Sequence, residues 1–75
     1  MSAKLMKLIA SGNARVRNTR SGQVRIYWEL DGKRQPPIDI DGHATMDLLT
    51  VAPAAALRRN KSLAALMHDG HLVEA

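Results

Sequence analysis

Gln23-Val24-Arg25-Ile26-Tyr27-Trp28-Glu29-Leu30-Asp31-Gly32-Lys33-Arg34 is the stretch on which the fold turns. Val24, Ile26, Trp28 and Leu30 alternate with Gln23, Arg25, Tyr27 and Glu29. That period of two predicts a strand over 23–30, with the first set facing inward and the second outward. Asp31-Gly32 is a two-residue hairpin signal, because the favoured turn needs positive φ at both positions. It pairs Leu30 with Lys33 and Glu29 with Arg34, the latter an opposite-charge cross-strand pair. Pro36 and Pro37 cannot donate to a ladder, so the third strand is expected at an edge or with a bulge. Ile38 and Ile40 then return to the core, and Asp41-Gly42 closes the segment.

Upstream, residues 14–19 read as a further strand, Ala14 and Val16 alternating with Arg15, Arg17 and Thr19. If this strand pairs with 23–30, a two-residue loop sets Arg17 opposite Ile26 and mixes the faces. A three-residue loop, Arg20-Ser21-Gly22, sets Val16 opposite Ile26, Ala14 opposite Trp28, Arg17 opposite Arg25 and Arg15 opposite Tyr27. It also calls for Gly22 at positive φ. Residues 3–10 predict a short helix with Leu5, Met6, Leu8 and Ile9 on one face, capped by Ser2 and ended by Gly12. The same short apolar run also suits an edge strand continuing into Ala14.

Downstream, Met46, Leu48, Leu49 and Val51 predict a short helix over 44–51. Pro53 suits the first turn of a second helix through Ala54, Leu57 and Arg58. Asn60-Lys61 reads as a turn, Ser62 as the cap of a last helix carrying Leu63, Leu66 and Met67, and Asp69-Gly70 as its end. His71-Leu72-Val73-Glu74 reads as a closing strand or a docked tail. The expected fold is α+β: a small three-stranded antiparallel β-meander with a short N-terminal helix and two or three short C-terminal helices. It forms one domain over 1–75, with a basic helix plus meander in 1–42 and a helical part in 43–75.

At 75 residues the core is thin, and Tyr27 and Trp28 are the only aromatic residues of the sequence. Without cysteine there is no disulfide and no thiolate zinc site. Trp28 is expected to be mostly buried. No stretch approaches the roughly 20 apolar residues of a membrane span, and the run from Leu5 to Ala10 is broken by Lys7, too short for a secretory signal. The expectation is a soluble, cytoplasmic protein without a membrane partner.

Charge is distributed unevenly. In residues 1–35, Lys4, Lys7, Arg15, Arg17, Arg20, Arg25, Lys33 and Arg34 stand against Glu29 and Asp31, a net +6. In 36–75, Arg58, Arg59 and Lys61 stand against Asp39, Asp41, Asp47, Asp69 and Glu74, a net −2. Such an asymmetry points to an anionic partner for the first half. The meander would gather Arg15, Arg17, Arg25 and Tyr27 on one face with Arg20 at its tip. Arginine forks suit phosphate oxygens and guanine edges, and a two-stranded ribbon fits the DNA major groove. The elbow Arg58-Arg59-Asn60-Lys61 offers a second set of phosphate contacts, in an arrangement loosely like a winged helix-turn-helix.

Other chemistries find little support. His43, His68 and His71, with Asp69 beside the last two, do not supply a spaced ligand set for a metal. No nucleophile–base motif or glycine-rich phosphate loop occurs, and so short a chain is not expected to build a pocket of a few hundred Å³. No cofactor and no small-molecule substrate are expected. The functional expectation is a small non-enzymatic binding module whose basic hairpin contacts nucleic acid or another polyanion. The alternative is a protein-interaction or assembly module, docking a partner or a second copy through its apolar C-terminal helices.

Overall fold

The computed structural model describes residues 3–75, with side chains from Leu5 onward. Ser2, read above as a helix cap, lies outside the described residues. Helix α1 spans Ala3–Ala10, which decides between the two readings of that run. Leu5, Leu8 and Ile9, at i, i+3 and i+4, are buried. Met6, expected on the same face, is 38% exposed. Gly12 at φ 89° ends the helix, its N–H donating to the Ile9 carbonyl.

Among the described residues the strands are β1 (Arg15–Asn18), β2 (Val24–Ile26), β3 (Glu29–Leu30), β4 (Lys33–Arg34), β5 (Ile38–Ile40), β6 (Thr45–Asp47) and β7 (Leu72–Glu74). The Asp31-Gly32 hairpin forms as the sequence predicts: Glu29 faces Arg34 and Leu30 faces Lys33, with φ 52° at Asp31 and 77° at Gly32. Beyond this tip, β2 pairs with β5, Ile26 opposite Ile38 and Val24 opposite Ile40. Between the two ladders, Tyr27 and Trp28 face Gln35, Pro36 and Pro37. That extra residue is the bulge the prolines require. Residues 24–40 are thus one long ribbon interrupted at its middle.

The meander is corrected. β1 does not pair with β2; it lies at the centre of a separate sheet in the order β6-β1-β7. Val16 faces Met46 on one side and Glu74 on the other, and Arg17 faces Thr45 and Val73. Arg17 is therefore not opposite Arg25, nor Arg15 opposite Tyr27. Gly22 is not among the glycines at positive φ, which are Gly12, Gly32 and Gly70. The register argument assumed that sequence neighbours pair, a tendency rather than a rule. Here residues 19–23 form a link, because Asn18 turns its buried amide on the ribbon. Its Nδ2 donates to the carbonyls of Gly22, Ile40 and Asp41 at 2.9–3.1 Å, and its Oδ1 accepts from the Arg20 N–H.

The predicted helix over 44–51 is also replaced. Thr45–Asp47 is strand β6, and a 3₁₀ turn follows at Leu48–Thr50. The open edge of β1 recruits the first part, while the Asp47 carboxylate accepts from the Leu49 N–H and starts the turn. Helix α2 spans Ala54–Arg58 behind Pro53. Helix α3 spans Lys61–His68, and its cap is Asn60 rather than Ser62: Oδ1 accepts from Leu63 N–H at 2.9 Å. Gly70 ends α3 at φ 79°, with Gly70 N–H to Met67 O and His71 N–H to Leu66 O, a Schellman motif that turns the chain into β7. Leu57, Leu63, Met67 and Leu72 close the core over α1, Ile26 and Ile40. Trp28 is half-buried at the margin of this core, not within it. No helix among the described residues is long and apolar enough to cross a membrane.

Candidate nucleic-acid interface

The pleat of β1 sends Ala14, Val16 and Asn18 into the core and leaves Arg15 and Arg17 exposed. Two residues apart on one face, their Cα atoms are about 6.6 Å from each other. Their neighbours across the sheet are Thr45 and Asp47 on β6 and Val73 on β7. Asp47 faces Arg15, and its Oδ1 accepts from the backbone N–H groups of Ala14 and Leu49 rather than from the guanidinium. Arg20, just past the end of β1, brings Nη1 to 3.5 Å from Nε2 of His71. The outer face of the three-stranded sheet therefore carries Arg15 and Arg17, with Arg20 and His71 meeting beyond the end of β1. Among the described residues, the one ion pair is elsewhere, between Arg25 and Asp39.

Arg25 belongs to the other sheet. Asp39 is its cross-strand partner, and Nε donates to Oδ1 at 2.7 Å and Nη2 to Oδ2 at 3.3 Å. The side-chain hydrogen bond to Asp39, and next the one to Tyr27, raise the Arg25 guanidinium above its ordinary pKa. This arginine is neutralised within its own ribbon. The predicted cluster of Arg15, Arg17, Arg25 and Tyr27 is thus divided between two sheets. Like charges do not face each other across the ribbon; Asp39 provides the complement.

Tyr27 is 57% exposed and leads to a different surface. An open cleft of about 580 Å³ lies between the ribbon tip and the α2–α3 corner, so a pocket of this size does form in so short a chain. Its walls include Tyr27, Trp28, Glu29, Asp31 and Arg34 from the ribbon and Arg59, Asn60, Lys61 and Ser62 from the corner. Arg58 is exposed on α2 outside this lining. Asn60 joins the walls: Nδ2 donates to the Tyr27 carbonyl at 2.8 Å while Oδ1 caps α3. The Trp28 indole N–H donates to the Pro36 carbonyl at 2.9 Å, which fixes the ring over the proline bulge.

Sequence reasoning named Tyr27, Arg59 and Lys61 but not their meeting with Trp28 and Arg34. It also passed over Asn18 and Asn60. Asn18 was detectable, since it occupies the inward phase set by Ala14 and Val16. Among the described residues no three His, Cys, Asp or Glu side chains gather as a metal-ligand group. No family model, curated protein or solved structure matches the chain, so its functional reading rests on this geometry and charge.

Proposed function

We propose that this protein is a small non-enzymatic binding module that holds nucleic acid, or another polyanion, on the outer face of its β6-β1-β7 sheet. The supporting observation is the contrast between its arginines. Arg25 is matched by Asp39, whereas Arg15 and Arg17 lie exposed on one face with no ion pair among the described residues, and Arg20 lies exposed beyond the strand end beside His71. Exposed guanidinium groups in a row offer forked donors to successive phosphates. A reducing, cytoplasmic setting is part of this reading and is supported by the absence of cysteine.

Salt titration tests it. Three phosphate contacts on duplex DNA give a log–log slope of about −3 for affinity against salt. Arg15→Gln with Arg17→Gln should flatten that slope by about 2. Absence of salt-sensitive retention of duplex or single-stranded nucleic acid at low ionic strength would reject the reading. A protein-interaction or assembly role then takes its place. That second reading draws on the edge position of β7, where Val73 is 40% exposed beside a groove of about 320 Å³ lined by Lys7, Met67 and Leu72. Its mark is self-association or partner binding that persists as salt rises. Leu63 and Met67 of α3 are already buried in this chain's own core, and Leu66 packs partly against it.

A further inference from the structure

We infer that the cleft between the ribbon tip and the α2–α3 corner takes one unstacked nucleotide of a single-stranded nucleic acid. Its phosphate lies toward Arg59 and Lys61, and its base toward Trp28. The inference rests on the nucleic-acid reading above but concerns a different surface.

The two walls differ in chemistry. Residues 54–68 contain Arg58, Arg59 and Lys61 and no carboxylate, so the charges on the corner wall, Arg59 and Lys61, are both positive. Arg59 and Lys61 line the cleft there, next to the first turn of α3, whose N–H groups at Lys61 and Ser62 have no intrahelical acceptor. The ribbon wall carries Trp28, with Glu29, Asp31 and Arg34 around it. A ligand that is anionic throughout, such as the paired backbones of a duplex, meets Glu29 and Asp31 at this wall. A nucleotide suits both walls: phosphate for the cations, a flat ring for the indole, and exocyclic amino groups for the carboxylates.

The cleft is also rigidly built. Asn60 ties the corner to the Tyr27 carbonyl and caps α3, and Pro36 holds the indole N–H. The indole and the backbone of the corner are therefore placed before the ligand arrives, which lowers the ordering cost of association. Aromatic stacking combined with a basic groove is the usual means of gripping single strands without a strict sequence requirement.

Trp28 is the only tryptophan in the chain, so its emission reports on the cleft directly. The test is titration with a ten-nucleotide deoxycytidine oligomer, chosen because cytosine carries an exocyclic amino group. The expected result is a saturable change in Trp28 emission. Arg59→Gln with Lys61→Gln should weaken it about tenfold or more, with circular dichroism and the denaturation midpoint unchanged. In Arg15→Gln/Arg17→Gln the emission change should persist. Oligomer binding seen by anisotropy without any change in Trp28 emission, or with full affinity in Arg59→Gln/Lys61→Gln, overturns the cleft and leaves the sheet face standing. An emission change with full affinity in Arg15→Gln/Arg17→Gln, and no salt-sensitive duplex binding, supports the cleft and removes the sheet face. No binding of the oligomer by either readout overturns the cleft, and the sheet face falls with it only if duplex is not retained either.

Discussion

Asn18 has none of its surface exposed, and all its amide hydrogen-bonding capacity goes to the link between the two sheets. Truncating it to alanine takes the side-chain partner from three carbonyls and one N–H, of which the Ile40 bond is fully buried and the others part-buried, a loss of about 2–4 kcal/mol. Asn18→Asp should cost more, because a carboxylate would face three carbonyl oxygens that need a donor. Urea denaturation checks the order; an Asn18→Asp midpoint equal to that of the natural chain contradicts the role given to this amide. Gly42 serves the same junction sterically, since a Cβ there would run into the Ser21 carbonyl. Backbone cannot move aside as a side-chain end can, so Gly42→Ala should lower the midpoint despite normally favouring order in the unfolded chain. Trp28 carries less weight than a central core residue. Its half-buried ring should cost about 2 kcal/mol on truncation to alanine, below the 3–5 kcal/mol of a fully enclosed aromatic.

Local signals were legible where an element is determined by residues close in sequence. Asp31-Gly32 carries its own turn chemistry, Pro36 and Pro37 their bulge, and Gly12 and Gly70 their helix ends. The partners of β1 were not legible. β6 and β7 lie about 30 and 55 residues along the chain, and both are three-residue strands, too short to show a clear period. The candidate site followed the same division: Arg15 and Arg17 were correctly assigned to one outward face by alternation, while the partner of Arg25 depended on a register that local turn length could not supply. At the end of α3, the Schellman turn delivers β7 to β1, so local backbone chemistry serves a long-range pairing. Gly70→Ala forces a side chain into the left-handed region and should cost about 1–2 kcal/mol. Amide exchange should accelerate first in Leu72–Glu74 and in the β1 residues facing them. Uniform acceleration over the whole chain instead would show that β7 does not open separately.

Across the whole molecule, the formal charge of +4 is less informative than where pairing leaves it. The ribbon neutralises Arg25 through Asp39, while the β6-β1-β7 face carries Arg15 and Arg17 side by side without an ion pair among the described residues. Arg15 and Arg17, separated by about 7 Å, repel by about 0.6 kcal/mol in water. Raising the ionic strength from about 0.01 to 0.1 M shortens the screening length from about 30 to 10 Å. That change screens away about 0.2 kcal/mol of the repulsion, so salt should stabilise the free protein by about 1 °C in Tm for a domain of this size. The exposed Arg25–Asp39 pair opposes this weakly, since screening loosens it. Arg15→Gln/Arg17→Gln should be as stable as the natural chain or slightly more so at low salt, and should lose most of the salt-dependent gain. Polyanions act on the same repulsion by binding the folded state, so a short duplex should raise Tm at low salt, with the increase growing with its concentration. Thermal unfolding at two salt concentrations, with and without duplex, measures all these effects. A Tm of the natural chain indifferent to both would mean that Arg15 and Arg17 are splayed into solvent, each screened by itself.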